Sequence, residues 1–217
     1  MYDIDNGWYT RYNAQTGQYQ QGSYYRLCNF TNQFNQIGVH GAHMSEKRTS
    51  AVEIRRFQSE DGERIRELNE IAMATTPEFE PDVPDKDLRD VQSNYLGSGR
   101  EFLVAIVDGT IVGMGAYTTP DEWKEEFIQL DSQTTELTRM RVDPECHGQG
   151  VGRAVYHDLE QRARHDGYEQ FVLDTGVEND TARAFYESLG FQFQQEVSIH
   201  FGDLSFELVL YKKSIIE

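Results

Sequence analysis

Residues 137–164 read LTRMRVDPECHGQGVGRAVYHDLEQRAR, which predicts a strand, a glycine loop and a helix in succession. The β-prone run ends at Asp143 and Pro144, because proline cannot continue a strand ladder. Behind the glycines, apolar residues recur at helical spacing: Val151, Ala154, Val155, Leu159 and Ala163. Asp166 and Gly167 close the helix, with glycine where a left-handed residue is expected. The stretch therefore predicts a strand–loop–helix unit of an α/β fold.

Gly148, Gly150 and Gly152 stand at the predicted junction of strand and helix. Without Cβ atoms the backbone can turn sharply, so that its N–H groups converge on one small volume. The start of a helix adds unpaired N–H donors and the positive end of the helix dipole. The pattern indicates an anion site that suits phosphate, although a tight turn without a ligand also explains the glycines. A Walker loop and a dinucleotide fingerprint are excluded, because the spacing is G-x-G-x-G and Arg153 and Ala154 follow.

Composition limits the classes of partner. The chain has 217 residues, with 37 acidic and 20 basic side chains and a formal net charge of −17. Such a surface repels phosphate, so we expect no nucleic-acid partner. We also expect no membrane partner, since no apolar run approaches the roughly 20 residues of a membrane span. Cys28 and Cys146 give no disulfide framework, which favours a cytoplasmic location.

The acidic charge itself has two interpretations. An acidic, lysine-poor surface resembles that of proteins from a high-salt cytoplasm, whereas an acidic face for a cationic substrate would produce the same excess. Composition does not distinguish the two.

Residues 1–44 differ from the rest of the chain. They are rich in Tyr, Asn, Gln and Gly with weak periodicity, although their aromatic residues leave strand pairing possible. The run HGAHM at 40–44 resembles the remnant of a cloning vector. We therefore predict that 1–44 is an added polar extension and that 45–217 is one domain; a natural polar extension is the alternative.

After residue 50, the hydrophobic patterns predict the order β-α-α-β-β-β-α-β-α-β-β, a mixed sheet with helices on its faces. The second helix is expected to run from Asp85 or Lys86 to Tyr95, and the connection 119–134 to hold a short helix around Trp123. Asn179 is expected to cap the last helix. The predicted core stripe of that helix consists of Ala182, Phe185 and Leu189.

Two motifs, which are separated by one predicted helix and one predicted strand, resemble the GNAT superfamily of N-acetyltransferases. RVDPECHGQGVGRAV at 141–155 is similar to its acetyl-CoA pyrophosphate loop, and NDTARAFYESLGF at 179–191 is similar to its last helix. The resemblance covers roughly 50–212 and implies a central, mostly antiparallel sheet that is splayed at the acetyl-CoA site. His147 departs from the superfamily pattern, which usually has arginine or glutamine there. The side-chain contribution of His147 to the cofactor site is therefore open, and a solvated loop residue is the alternative.

The resemblance implies that acetyl-CoA is the cosubstrate. We expect no metal, because no cluster of His, Cys, Asp or Glu has the spacing of a zinc site. Backbone groups of 140–142 would bond the pantetheine arm, and the N–H groups of the glycine loop would hold the pyrophosphate. The implied cofactor-binding residues are Met140, Arg141, Val142, His147, Gly148, Gln149, Gly150, Val151, Gly152, Arg153 and Asn179.

Two catalytic residues follow from the same resemblance. Tyr186 matches a tyrosine close to the CoA sulfur, and a phenol with a pKa of about 10 suits proton donation to a thiolate; simple packing is the alternative. Glu136 is the preferred base for the amine, with a solvated edge glutamate as the alternative. Asp174 and Glu178 are weaker candidates for the base.

The implied activity is acetyl transfer to a primary amine of a small molecule or a peptide, by direct attack on the thioester. A non-catalytic acetyl-CoA-binding sensory domain is the alternative. The resemblance places the acceptor pocket at 75–84, around Trp123 and at 197–204. Four residues there would suit a small cationic amine: Phe79, Glu80, Asp82 and Trp123. A homodimer through the apolar residues 205–211 is possible.

Overall fold

The computed structural model describes residues 8–13, 18–23, 51–77, 85–201 and 204–216. The chain divides into two compact units, Met1–Ala51 and Val52–Glu217. In the first unit, strands β1 (Trp8–Asn13) and β2 (Gln18–Ser23) form an antiparallel pair. The origin of residues 1–44 stays a prediction.

The second unit follows the predicted element order, which is confirmed. Its strands are β3 (Glu53–Arg56), β4 (Glu101–Val107), β5 (Thr110–Thr118), β6 (Thr134–Val142), β7 (Gln170–Gly176), β8 (Gln192–Phe201) and β9 (Leu204–Ser214). Its helices are α1 (Gly62–Met73), α2 (Val91–Tyr95), α3 (Val151–His165) and α4 (Asp180–Ser188). None of the helices in the described residues is long and apolar enough to cross a membrane.

The seven strands form one sheet in the order β3-β4-β5-β6-β7-β9-β8. Every neighbouring pair is antiparallel except β6 and β7, which are parallel because α3 crosses over between them. The predicted mixed, mostly antiparallel sheet is therefore confirmed. The parallel pair lies inside the sheet, with the glycine loop and α3 directly after β6.

Helices cover both faces of the sheet. On one face, Gly113 and Gly115 let α3 approach β5 closely: a Cβ on Gly113 would lie 2.7 Å from Val151 Cγ1, and one on Gly115 would lie 2.8 Å from Val155 Cγ1. The opposite face buries an apolar cluster that joins α1 and α2 to β4 and β5; its members include Ile65, Leu68, Val91, Phe102 and Met114. Successive residues of β5 therefore face opposite sides of the sheet: Gly113 and Gly115 face α3, and Met114 faces the apolar cluster.

The predicted second helix is wrong as one continuous element. A 3₁₀ turn spans Lys86–Arg89 and α2 begins only at Val91, with Asp90 between them in a non-helical conformation. The Asp90 carboxylate accepts a hydrogen bond from the N–H of Ser93, which caps α2. The short helix near Trp123 is confirmed as a 3₁₀ turn over Glu122–Glu126.

Candidate active site

Strands β6 and β7 pair only at their first residues and then separate. The parallel register begins at Thr134 and Gln170 and ends at Glu136 and Val172. Beyond these pairs, β6 continues to residue 142 and β7 to residue 176 with no further pairing between the two strands. They enclose an opening at their carboxyl ends, called the wedge below, with its apex at Glu136.

A bulge in β6 lies on one side of the wedge. Met114 and Ala116 of β5 pair with Arg141 and Thr138, so that β6 carries one extra residue between these pairs. Arg139 lies in this bulge with a left-handed φ of 55°. A bulged strand bends, which accounts for the separation of β6 from β7.

The side chain of Arg139 anchors the bulge. Its Nε lies 2.8 Å from Asp87 Oδ2 and its Nη2 lies 2.6 Å from Asp87 Oδ1, while Nη1 pairs with Asp85. The Tyr95 hydroxyl lies 3.2 Å from Nε. A non-glycine residue at positive φ persists only where its surroundings hold it, and these contacts do so.

The glycine loop, residues 147–153, adopts the predicted conformation. Gly148 has a φ of 71° and Gly150 a φ of 85°, yet a Cβ at either position would meet no atom within 4 Å. Backbone conformation, and not space, therefore requires glycine there. No backbone carbonyl of the described residues accepts the N–H groups of Gly148, Gly150, Val151, Gly152 and Arg153. These donors at the start of α3 fit an anionic group such as a pyrophosphate.

Three side chains of the glycine loop contact the chain itself. His147 Nε2 lies 3.1 Å from the Val142 carbonyl, so this nitrogen carries the proton that is donated. Gln149 donates to a carbonyl of the preceding turn, and Arg153 Nη2 lies 3.0 Å from Ser188 Oγ on α4. The acetyl-CoA contacts that the resemblance assigns to these side chains stay predictions.

A cluster of charged side chains lies at the apex of the wedge. Lys124 is completely buried, and its Nζ lies 3.0 Å from Glu136 Oε2, 2.7 Å from Asp174 Oδ1 and 3.6 Å from Asp121 Oδ2. The backbone N–H of Asp121 donates to Glu136 Oε2 over 2.9 Å. The Lys124 ammonium also lies 4.3 Å from the ring centroid of Trp123. Lys124, Asp121, Glu136 and Asp174 are called the carboxylate–lysine cluster.

Glu136 is 6% exposed, so the interpretation of a solvated edge glutamate is wrong. Burial raises the pKa of its carboxyl to about 7, against the attraction of Lys124 and with the added repulsion of Asp174 and Asp121. A carboxyl that exchanges its proton near neutral pH suits a general base.

Tyr186 belongs to the buried face of α4. The predicted core stripe is wrong at Phe185, which is only half-buried, while Tyr186 is buried and packs edge-on against Phe191 at 5.7 Å between ring centroids. Burial raises the pKa of the Tyr186 phenol to about 12, although the positive charge of Arg141 opposes this and the negative charge of Asp174 adds to it. The phenol is thus coupled to Arg141 and Asp174, one on each strand that borders the wedge.

The acetyltransferase (GNAT) family profile matches residues 65–191, which is more than half of the chain. The chain belongs to this family.

Curated relatives of this GNAT chain match about half of it. N-acetyltransferase 8 of Homo sapiens is 34% identical over 108 residues, which cover 49% of this chain and 45% of that protein. N-acetylaspartate synthetase of Danio rerio is 32% identical over 107 residues, which cover 49% of this chain and 35% of that protein. The chain spans less than half the length of the curated relatives that it matches.

Solved structures share the GNAT fold. An N-acetyltransferase from Staphylococcus aureus Mu50 superposes with a TM-score of 0.62 at 17% identity, covering 77% of this chain and 100% of that one. A putative acetyltransferase from Salmonella typhimurium, solved with acetyl-CoA, has a TM-score of 0.59 at 22% identity and covers 77% and 95%. At these identities the likeness concerns the fold alone.

Sequence reasoning missed Lys124 as part of the carboxylate–lysine cluster. The signal was indirect: Glu136 and Asp174 both occur in strands whose neighbours are apolar or β-branched, and buried carboxylates require a positive partner. Which lysine or arginine would supply it depended on the path of the connection between β5 and β6.

The other predicted site residues are Asn179, Glu178 and those of the acceptor pocket. The Asn179 carboxamide oxygen accepts the N–H of Ala182, which confirms its capping role, while its cofactor contact stays a prediction. Glu178 is exposed. The proposed acceptor-pocket residues Phe79, Glu80 and Asp82 lie outside the described residues.

Proposed function

We propose that this chain transfers an acetyl group from acetyl-CoA to a primary amine by direct attack of the amine on the thioester. The supporting observation is the wedge between β6 and β7. The glycine loop with its unpaired N–H donors follows β6, one border of the wedge, after a 3₁₀ turn at Pro144–Cys146, and Glu136 lies at the apex of the wedge. An anion site beyond the carboxyl end of β6, together with a buried base of near-neutral pKa near the start of the same strand, fits an extended CoA thioester and an amine acceptor.

Each residue has a separate task in this proposal. Acetyl-CoA supplies the activated acyl group. Glu136 accepts a proton from the acceptor ammonium, so that the neutral amine can form the N–C bond. Tyr186 keeps its proton over the working pH range, because burial raises its pKa to about 12. As the N–C bond forms and the C–S bond breaks, Tyr186 donates this proton to the departing thiolate, and the surplus proton of the acylated nitrogen restores the phenol.

The acceptor is a small-molecule or peptide amine. One of the relatives is named N-acetylaspartate synthetase, which makes amino acids a sensible first class to assay. A homodimer stays a prediction, and the apolar residues Leu208 to Tyr211 are buried within the domain itself. The cytoplasmic location also stays a prediction.

A second candidate function is an acetyl-CoA-binding sensor without turnover. The observation that favours it is the ion pair between Lys124 and Glu136. Because the Glu136 carboxylate already has a positive partner, it is less available to take a proton from an acceptor ammonium. Glu136 Oε2 accepts a hydrogen bond from the Asp121 N–H and also forms the ion pair with Lys124, so turnover has to be measured directly.

Calorimetric titration of the full chain with acetyl-CoA, in low salt and in molar KCl, tests the cofactor assignment. We expect one site in the micromolar range; no binding at either salt concentration refutes the proposal. Release of CoA thiol is then followed with aspartate, a diamine and a peptide with a free N-terminus. Binding without thiol release for any amine class favours the sensor. Stronger binding in molar KCl supports the high-salt interpretation of the acidic surface.

A further inference from the structure

We propose that Lys124 is a positioning residue, which holds Glu136 ionised and fixed at the apex of the wedge. The inference rests on the proposed function, because it assigns Lys124 a role toward the base of that reaction. Lys124 acts through Glu136 and is not itself assigned a contact with either substrate.

The position of Lys124 follows from the packing of the connection between β5 and β6. Trp123 and Ile128 of this connection pack against an apolar cluster on β8 and β9 that includes Leu210. Leu210 is the antiparallel partner of Asp174, and directly opposed residues project to the same face of a sheet. The apolar contacts of Trp123 therefore bring the neighbouring Lys124 to the face that carries Asp174.

Lys124 bridges the two strands where they part. Glu136 is the last residue of β6 that pairs with β7, through Val172, and Asp174 lies two residues further along β7 on the same face. The Lys124 Nζ contacts a carboxylate oxygen on each strand, at 3.0 and 2.7 Å, with no exposure to solvent. A single ammonium thus connects both borders of the wedge at its apex.

Lys124 supplies the positive charge next to the Glu136 carboxylate. The neighbours of Glu136 are Lys124 and Asp121 of the connection and Asp174 of β7. Tyr186 of α4 interacts electrostatically with Asp174 and with Arg141 of β6. The Arg141 guanidinium donates to the carboxamide oxygen of Asn69 on α1 and to a backbone carbonyl. Lys124 is therefore the cation, among the described residues, whose nitrogen touches the Glu136 carboxylate.

Removal of this ammonium leaves two neighbouring carboxylates without a shared counter-charge. Such a pair takes up one proton, because like charges in a buried site cannot both persist. The proton goes to the more buried carboxyl, and Glu136 has a side chain 7% exposed against 28% for Asp174. A protonated Glu136 cannot serve as the base.

The test is the pH dependence of kcat/KM for the full chain, with the amine that gives the fastest thiol release. The variants are Lys124→Met, which removes the charge at similar length, Asp174→Asn, and the double variant. On the acidic side of the profile, called the acid limb, kcat/KM rises with pH as Glu136 loses its proton. We expect Lys124→Met to shift this limb to higher pH by at least about one unit, which is a tenfold loss of kcat/KM at pH values below the limb. Asp174→Asn alone should move it downward, and the double variant should return it toward the wild-type position.

A Lys124→Met profile that is lower at every pH, with its acid limb unmoved, shows a purely structural role and overturns the proposal. Binding of acetyl-CoA by each variant checks that it folds. If Lys124→Met does not fold, Asp174→Asn decides, and an acid limb that does not move downward overturns the proposal.

Carbon-13 NMR titration of glutamate carboxyls separates this inference from the proposed function. The Glu136 signal is assigned by its loss in Glu136→Gln, and its titration needs no turnover. Wild-type protein that transfers no acetyl group refutes the proposed function, whereas the Glu136 titration still decides the role of Lys124. A Glu136 titration that is the same in wild type and Lys124→Met overturns the proposal.

Discussion

The glycine loop and the carboxylate–lysine cluster lie on the same wedge but are specified in different ways. The glycine loop is continuous in sequence and presents backbone donors, which depend on φ at Gly148 and Gly150. The carboxylate–lysine cluster joins side chains from the connection before β6, from β6 itself and from β7. A site made of backbone can be predicted from a local pattern, whereas a site made of distant side chains depends on topology.

The largest expected effect concerns the carboxylate–lysine cluster. Glu136→Gln removes the proposed base while keeping the shape of the side chain, and we expect kcat to fall by about 100-fold to 10,000-fold. Binding of acetyl-CoA should be unchanged, because the glycine loop is untouched. Steady-state thiol release and calorimetry measure the two quantities.

The control for this change is Glu178→Gln, which makes the same chemical replacement at an exposed position. Its kcat should match that of the wild type. If Glu178→Gln is the inactive variant, the base is Glu178 and the carboxylate–lysine cluster is only structural.

In the glycine loop, we expect a substitution to weaken the binding of acetyl-CoA. Gly150→Val places a β-branched residue at a φ of 85°, which distorts the loop, and we expect the Kd for acetyl-CoA to rise by about 10-fold to 100-fold. Gly109→Val is a matched control, because Gly109 has a φ of 79° and equally open surroundings in the turn between β4 and β5. Equal weakening of acetyl-CoA binding by both variants argues for a general loss of stability.

Tyr186→Phe removes the hydroxyl of the proposed acid and leaves the proposed base, Glu136, unchanged. We expect kcat to fall by about tenfold, less than the roughly 100-fold that is typical of a general acid, because a thiolate is already a good leaving group. The acid limb of the pH profile should still be set by Glu136 near pH 7. Activity rises with pH through this limb, because Glu136 acts in its ionised form. Tyr186 adds no basic limb below about pH 11, since its pKa is raised to about 12. An unchanged kcat assigns Tyr186 to packing.

The smallest effect is expected for Asn179→Ala. Loss of its cap on α4 should lower the free energy of unfolding by about 1 kcal/mol, and loss of a cofactor contact should raise the Kd for acetyl-CoA a few-fold. Asp90→Ala, which removes the cap of α2, is the control for stability alone. Thermal unfolding and calorimetry measure both; equal Kd values show that Asn179 is only a cap.

The sequence predicted the order of strands and helices because hydrophobic periodicity and turn residues act locally. It failed at Asp90, where a side-chain cap interrupts a helical pattern, and at Phe185, because the ring that is buried on α4 depends on Phe191 beyond the helix. Arg139 was missed as an anchor of the bulge, since Asp85 and Asp87 approach it only after folding.

The sequence by itself determined the glycine loop, the start of α3 and the membership of the chain in the GNAT family. These features depend on neighbouring residues, whose conformational preferences act over a few bonds. Only the tertiary structure decided that Lys124 is buried between Glu136 and Asp174. The physical reason is that apolar packing of the connection on β8 and β9 sets the position of Lys124, while strand register sets the positions of the two acids.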